Sequence, residues 1–146
     1  SESDNDYGIA AQVRSSEKIT DGRYINVYES VEERELSESI KDIWMTESAS
    51  YQFDNYSRIL TVQSLVSPDA GIETHFRYSC KPGEDDGTFT MEWKGMDEAN
   101  IDQVRTFTVS VDKETQAMKL TDAQTQEKIT LNSLAQQANQ PTISGQ

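Results

Sequence analysis

His75 is the only histidine and Cys80 the only cysteine, the side chains from which nucleophile and general-base pairs are often drawn. Both lie on a run, residues 74–80, in which apolar and polar side chains alternate. Positions five apart on an extended strand point to opposite faces and lie about 16 Å apart, so the two do not make a Cys–His pair. No Gly-x-Ser-x-Gly elbow accompanies His75, which reads as a surface or satisfied histidine. A single cysteine excludes an internal disulfide and a cysteine-based zinc site, and Cys80 reads as a small packed hydrophobe. Carboxylates are abundant, as at Glu84, Asp85 and Asp86, and glycosidase chemistry would need one of them in an apolar setting. Glu92 stands between Met91 and Trp93, but the strand period turns it to the other face. Asp4, Asn5 and Asp6 hint at a calcium loop, yet Gly8 falls fifth where the pattern wants a glycine sixth, and no glutamate closes it. There is no phosphate loop, dinucleotide fingerprint or basic aromatic stripe. The residues therefore predict a protein without a catalytic site, metal or cofactor.

What positions these residues is a set of alternating runs. Phe76, Tyr78 and Cys80 share one face of the first run, and Phe89, Met91 and Trp93 share one face of a second, residues 88–93. This is the period of two of a half-buried antiparallel strand. Between them, residues 81–87 hold a proline and two glycines in an acidic turn, so the pair reads as a hairpin. Residues 22–28 predict an earlier strand, rich in aromatic and β-branched side chains. From about residue 32 to 44 the period changes: Leu36, Ile40, Ile43 and Trp44 line one side of a helix, with Glu32, Glu33 and Glu35 in its first turns where the dipole favours them. Its second half also fits a strand period, and the change of structure is expected between Trp44 and Ser50. Later runs follow at 51–53, 58–66, 104–111, 118–120 and 129–131, separated by turn signals at 54–57, 67–71, 112–115 and 121–128. Residues 94–103 read as a polar connection with a short helical turn, and residues 134–140 as a closing one.

The chain of 146 residues is of a size that buries one core without help from metal or disulfide. Leu, Ile, Val and Phe make up only about a fifth of it, near the range of disordered chains, but aromatic residues and methionines supplement them and the pattern is regular. The expected organisation is an acidic linker over 1–21, a single β domain over 22–138 and a tail over 139–146. The expected fold is mainly β: an antiparallel up-and-down meander of seven or eight strands closing into a small barrel, with one helix after the first strand, because closure removes exposed edges. A two-sheet sandwich is the alternative.

A formal charge of −13 disfavours nucleic acid and anionic membrane as partners. No apolar run is long enough to span a bilayer. The polar start has the look of the solvated tether of an exported or lipid-anchored protein, or of an ordinary tail.

The pattern resembles the small up-and-down barrels of the lipocalin and fatty-acid-binding type, above all the lipocalin-like domains of bacterial exported proteins. Gly22-Arg23-Tyr24 stands where lipocalins open their first strand with a glycine followed two residues on by tryptophan, which is tyrosine here. The helix near 32–44 stands where fatty-acid-binding proteins have their lid, and 109–115 with 118–122 resembles a late hairpin of the lipocalin-like domains. The resemblance implies a periplasmic or envelope domain that binds a hydrophobic small molecule or a partner protein. The arginine and tyrosine set that holds a fatty carboxylate is not present. Trp44, Phe76, Tyr78, Phe89, Met91, Trp93 and Phe107 are the residues expected to line a cavity, or else to fill the barrel. With the interior filled, the chain would be an interaction domain, an accessory of an envelope or secretion assembly.

Overall fold

The computed structural model describes residues 13–18 and 24–135. Eight antiparallel strands close into a barrel in the order in which they occur along the chain. Two further strands, β1 (Val13–Lys18) and β2 (Tyr24–Tyr28), pair with each other in a ribbon separate from it. The helix α1 (Val31–Ser39) follows. The barrel then runs through β3 (Asp42–Met45), β4 (Ala49–Asp54), β5 (Ile59–Ser64), β6 (Glu73–Pro82), β7 (Thr88–Gly95), β8 (Val104–Asp112), β9 (Ala117–Asp122) and β10 (Lys128–Ser133). The seam that closes it is short: Asn132 of β10 opposes Met45 of β3, and Ser133 opposes Trp44.

Two expectations change here. The strand expected over 22–28 exists as β2, but it pairs with β1, which lies in the stretch read as linker, and the barrel begins at β3. Gly22 and Arg23, part of the lipocalin resemblance, lie outside the described residues, as do residues 1–12 and the tail from 136 onward. The helix ends at Ser39 rather than near Trp44. Its start is fixed by a capping box, in which the Glu33 amide donates to Ser30 Oγ (3.0 Å) and the Ser30 amide donates to Glu33 Oε1 (3.1 Å), satisfying two amides that helices otherwise leave unpaired. At its end Asp42 takes a φ of 119° and redirects the chain into β3. Trp44 then points inward as a strand residue, and its indole N–H donates to the Ile40 carbonyl at 2.9 Å. Ile40 and Trp44 were spaced as helix neighbours but meet across a bend instead.

Three of the hairpin turns share one construction. Asp54, Asp112 and Asp122 each accept two backbone amides through Oδ1: from Tyr56 and Ser57, from Glu114 and Thr115, and from Gln124 and Thr125. Four residues after each aspartate, the chain takes a left-handed conformation at Arg58 (φ 60°), Gln116 (φ 57°) and Gln126 (φ 65°). An aspartate that mimics a backbone turn followed by one left-handed residue is a compact way to reverse a β-ladder.

Every second side chain from these strands enters one core. Phe53, Leu60, Tyr78, Met91, Trp93, Phe107, Val109, Met118, Leu120 and Leu131 are all nearly inaccessible to solvent. Trp93 is its hub, with its ring 4.4 Å from Phe107, 5.3 Å from Phe76 and 6.2 Å from Tyr51. Arg105 lays its guanidinium 4.8 Å from the Phe107 ring and 5.9 Å from the Trp93 ring, within the range of cation–π attraction. In chain order, alternate connections of a meander lie at the same end of the barrel, which gives it two distinct mouths.

Candidate functional site

The first mouth is formed by α1, the turn 55–58, the loop 83–87 and the turn 113–116. α1 packs against β6, with Ser37 fully buried. Two contacts tie this end together. Arg58 Nη2 donates to Glu29 Oε1 at 2.7 Å with both side chains largely withdrawn from solvent, and Asn55 donates to the Glu38 carboxylate of the helix. Tyr78 completes the closure on the barrel side, since its hydroxyl donates to the Asp54 carbonyl (3.1 Å) and its ring meets Phe53 edge-on at 5.2 Å. Burial pushes the Cys80 thiol up to about 12, and the Ser37 hydroxyl offsets only part of that shift. Cys80 is therefore neutral and shielded, a poor nucleophile.

Between α1 and the loops of β6–β7 and β8–β9 lies a cleft of 620 Å³. Its apolar lining comes from Leu36 on the helix, Trp44 on β3, Pro82 and Phe89 on the hairpin, and Val111 on β8. Around these stand four carboxylates, Glu32, Glu35, Asp85 and Asp86, against one lysine, Lys113. The loop holds its shape because the Thr88 amide donates to the Asp85 carbonyl (3.2 Å) and Gly87 takes a φ of 83°, a conformation that costs glycine little.

Of the seven residues expected at a cavity, Trp44 and Phe89 line this cleft. Phe76, Tyr78, Met91, Trp93 and Phe107 belong to the packed core. Leu36 belongs to the apolar side expected of the helix and Val111 to the alternating run 104–111. That the two face each other across an opening depends on how the barrel closes, which no local pattern carries.

The second mouth carries the other polar cluster. His75 donates its backbone N–H to Asp97 Oδ2 (2.6 Å), its Nδ1 lies 2.9 Å from Asp97 Oδ1, and its Nε2 lies 3.2 Å from Glu73. The Asp97 carboxylate, hydrogen-bonded to the ring, holds the His75 pKa above the ordinary histidine value, with Glu73 adding to it. Asp97 is held below the usual carboxylate range, first by the His75 backbone N–H and then by its ring. Asn100 completes the cluster: it donates to the His75 carbonyl (3.2 Å) and accepts from the Asp97 amide (2.7 Å). The cluster is a clasp that fastens the β7–β8 loop to β6. Twenty-two residues separate His75 from Asp97, so the satisfied histidine was readable but its partner was not.

Among the described residues, no three His, Cys, Asp or Glu side chains converge as a metal-ligand group, and no helix is long and apolar enough to cross a membrane. Comparison with protein-family models, with curated proteins and with solved structures finds no match for this chain.

Proposed function

We propose that this chain is a non-enzymatic, lipocalin-like binding domain of an exported bacterial protein, and that it takes an apolar small molecule in the cleft beneath α1. The observation that carries this reading is the cleft: its 620 Å³ lies within the roughly 300–1,000 Å³ of small-molecule sites. Its floor belongs to the packed barrel, with Trp44 and Phe89 only 4% and 5% exposed, and Leu36 and Val111 are the partly buried apolar side chains of its walls. Burial of a ligand against Leu36, Trp44, Phe89 and Val111 would supply the driving force through desolvation. The rim selects by charge. Four carboxylates facing one lysine disfavour a fatty acid or other anion and admit a neutral or cationic molecule. The exported setting and the place among lipocalin-like proteins rest on the resemblance of the barrel, its helix and its late hairpin.

The test is equilibrium binding of a neutral apolar dye, Nile red, followed by its fluorescence. Binding to the wild type that is lost in Leu36→Asp, with the fold retained by circular dichroism, supports the reading. No binding, or binding unchanged in Leu36→Asp, sinks it. A second reading, an interaction domain with a filled core in an envelope or secretion assembly, is favoured by the close packing around Trp93. It would be preferred if the dye were not bound.

A further inference from the structure

Among the described residues, six of the nine large apolar side chains that stand exposed are gathered at the end of the barrel opposite α1. Leu65, Val66 and Ile72 on the β5–β6 loop, and Met96, Ile101 and Val104 on or beside the β7–β8 loop, are between 38% and 59% exposed. The two loops adjoin, because the Met96 amide and the Asn100 side chain both donate to the carbonyl of His75, three residues beyond Ile72. Between the β5–β6 loop and the β3–β4 turn lies a groove of 390 Å³, lined in part by Ala49, Val62, Val66 and Ile72.

These loops are ordered by their own bonds. The Ser64 amide donates to the Ile72 carbonyl and the Gly71 amide to that of Ser64, while Leu65 donates to Ser48 across the groove. In the other loop, Gly95 lies so close to Asn100 that an added Cβ would fall 1.8 Å from the Asn100 carbonyl oxygen, and the Gly95 amide donates to Gln103. Apolar side chains held outward on a pre-shaped loop forgo burial, and a pre-shaped surface loses little entropy on binding.

The charge of this rim is one-sided. Its four connections, residues 46–48, 65–72, 96–103 and 123–127, contain Glu47, Asp69, Asp97, Glu98, Asp102 and Glu127 and no lysine or arginine. Of the cations on the strands behind it, Arg105 is engaged with Asp122 and Glu127 and Lys94 lies 3.8 Å from Glu92, while Lys128, exposed at the start of β10, is outnumbered by the six carboxylates. An anionic membrane or a second copy of the same rim would meet like charge.

We infer that this rim is a docking surface for a segment of another protein that carries lysine or arginine beside apolar side chains. The apolar side chains of the partner would cover Ile72, Val66 and Ile101, and its cations would face Asp69, Glu98 and Asp102. The surface lies at the far end from the cleft, and its groove shares no lining residue with it.

The probe is a synthetic helical peptide with one leucine face and one lysine face, titrated into the full chain while backbone amide shifts are recorded. A peptide with glutamate in place of lysine is the control. The lysine peptide is expected to shift amides of residues 65–72 and 96–104, the glutamate peptide to leave them in place. Ile72→Ser with Ile101→Ser should weaken binding roughly tenfold or more. Asp69→Lys with Asp102→Lys should do the same, and supplies the test if the serine variant unfolds. Failure of the lysine peptide to bind would overturn the proposal. So would shifts spread over the acidic surface, including residues 84–86, that survive both variants, or self-association of the chain through the rim in the absence of peptide.

Discussion

Arg58 and Glu29 form an ion pair of 2.7 Å in which the side chains keep only 5% and 11% of their exposure. The pair joins the segment before α1 to the β4–β5 turn, and a second Arg58 nitrogen, Nη1, donates to Asn55 (3.1 Å). Removing one partner from a buried pair leaves the other charge without compensation. Glu29→Ala should therefore lower stability by about 3–5 kcal/mol, whereas Glu29→Leu with Arg58→Met should recover much of the loss. Urea unfolding of the two variants checks this, and a loss under about 1 kcal/mol in Glu29→Ala would show that the pair is solvated.

The Cys80 thiol, pushed up to about 12 by burial and almost fully covered, should not react with a disulfide reagent in the native protein at neutral pH. Modification should appear only in denaturant, and its midpoint should coincide with unfolding. Rapid modification of the folded chain would mean that α1 lifts readily from β6.

The clasp at His75 makes a pH-dependent contribution. Because the folded pKa is raised by Asp97, this contribution is complete below the ordinary histidine value of about 6.5 and fades as pH rises through the folded value. Asp97, held low, contributes above its ordinary carboxylate value, and that part is lost as pH falls through its folded value. The thermal midpoint of the wild type should thus exceed that of His75→Gln most in mildly acidic solution, with the gap narrowing toward alkaline pH. A gap that stays constant across the range would exclude titration of the ring as its source.

Gly95 admits no side chain against Asn100. Gly95→Ala must displace the β7–β8 loop, at a cost of about 1–3 kcal/mol. The amides of residues 96–103 should lose hydrogen-exchange protection before the rest of the barrel does, and uniform loss across all strands would contradict this.

Much of the barrel was legible because alternation is a local signal. Phe76, Tyr78 and Cys80 turn inward with Phe89, Met91 and Trp93, as the period of two requires. The turns were legible as polar reversals, although the shared aspartate construction appears only when the left-handed Arg58, Gln116 and Gln126 are seen. Trp44 misled because a spacing of four is satisfied equally by a helix turn and by a bend such as that at Asp42. The run 58–66 concealed the end of β5 at Ser64, since Leu65 and Val66 continue its apolar character while pointing into solvent. The cleft was beyond reach for a different reason: its lining comes from five elements, α1, β3, β6, β7 and β8, that meet only after the barrel has closed.

The location of an apolar ligand is best read from nuclear Overhauser effects between Nile red and methyl groups labelled throughout the chain. Contacts from the methyls of Leu36 and Val111 are expected, with none from Met91, Met118 or Leu131 in the packed interior. Contacts from those interior methyls alone would place the ligand inside the barrel and contradict a site beneath α1.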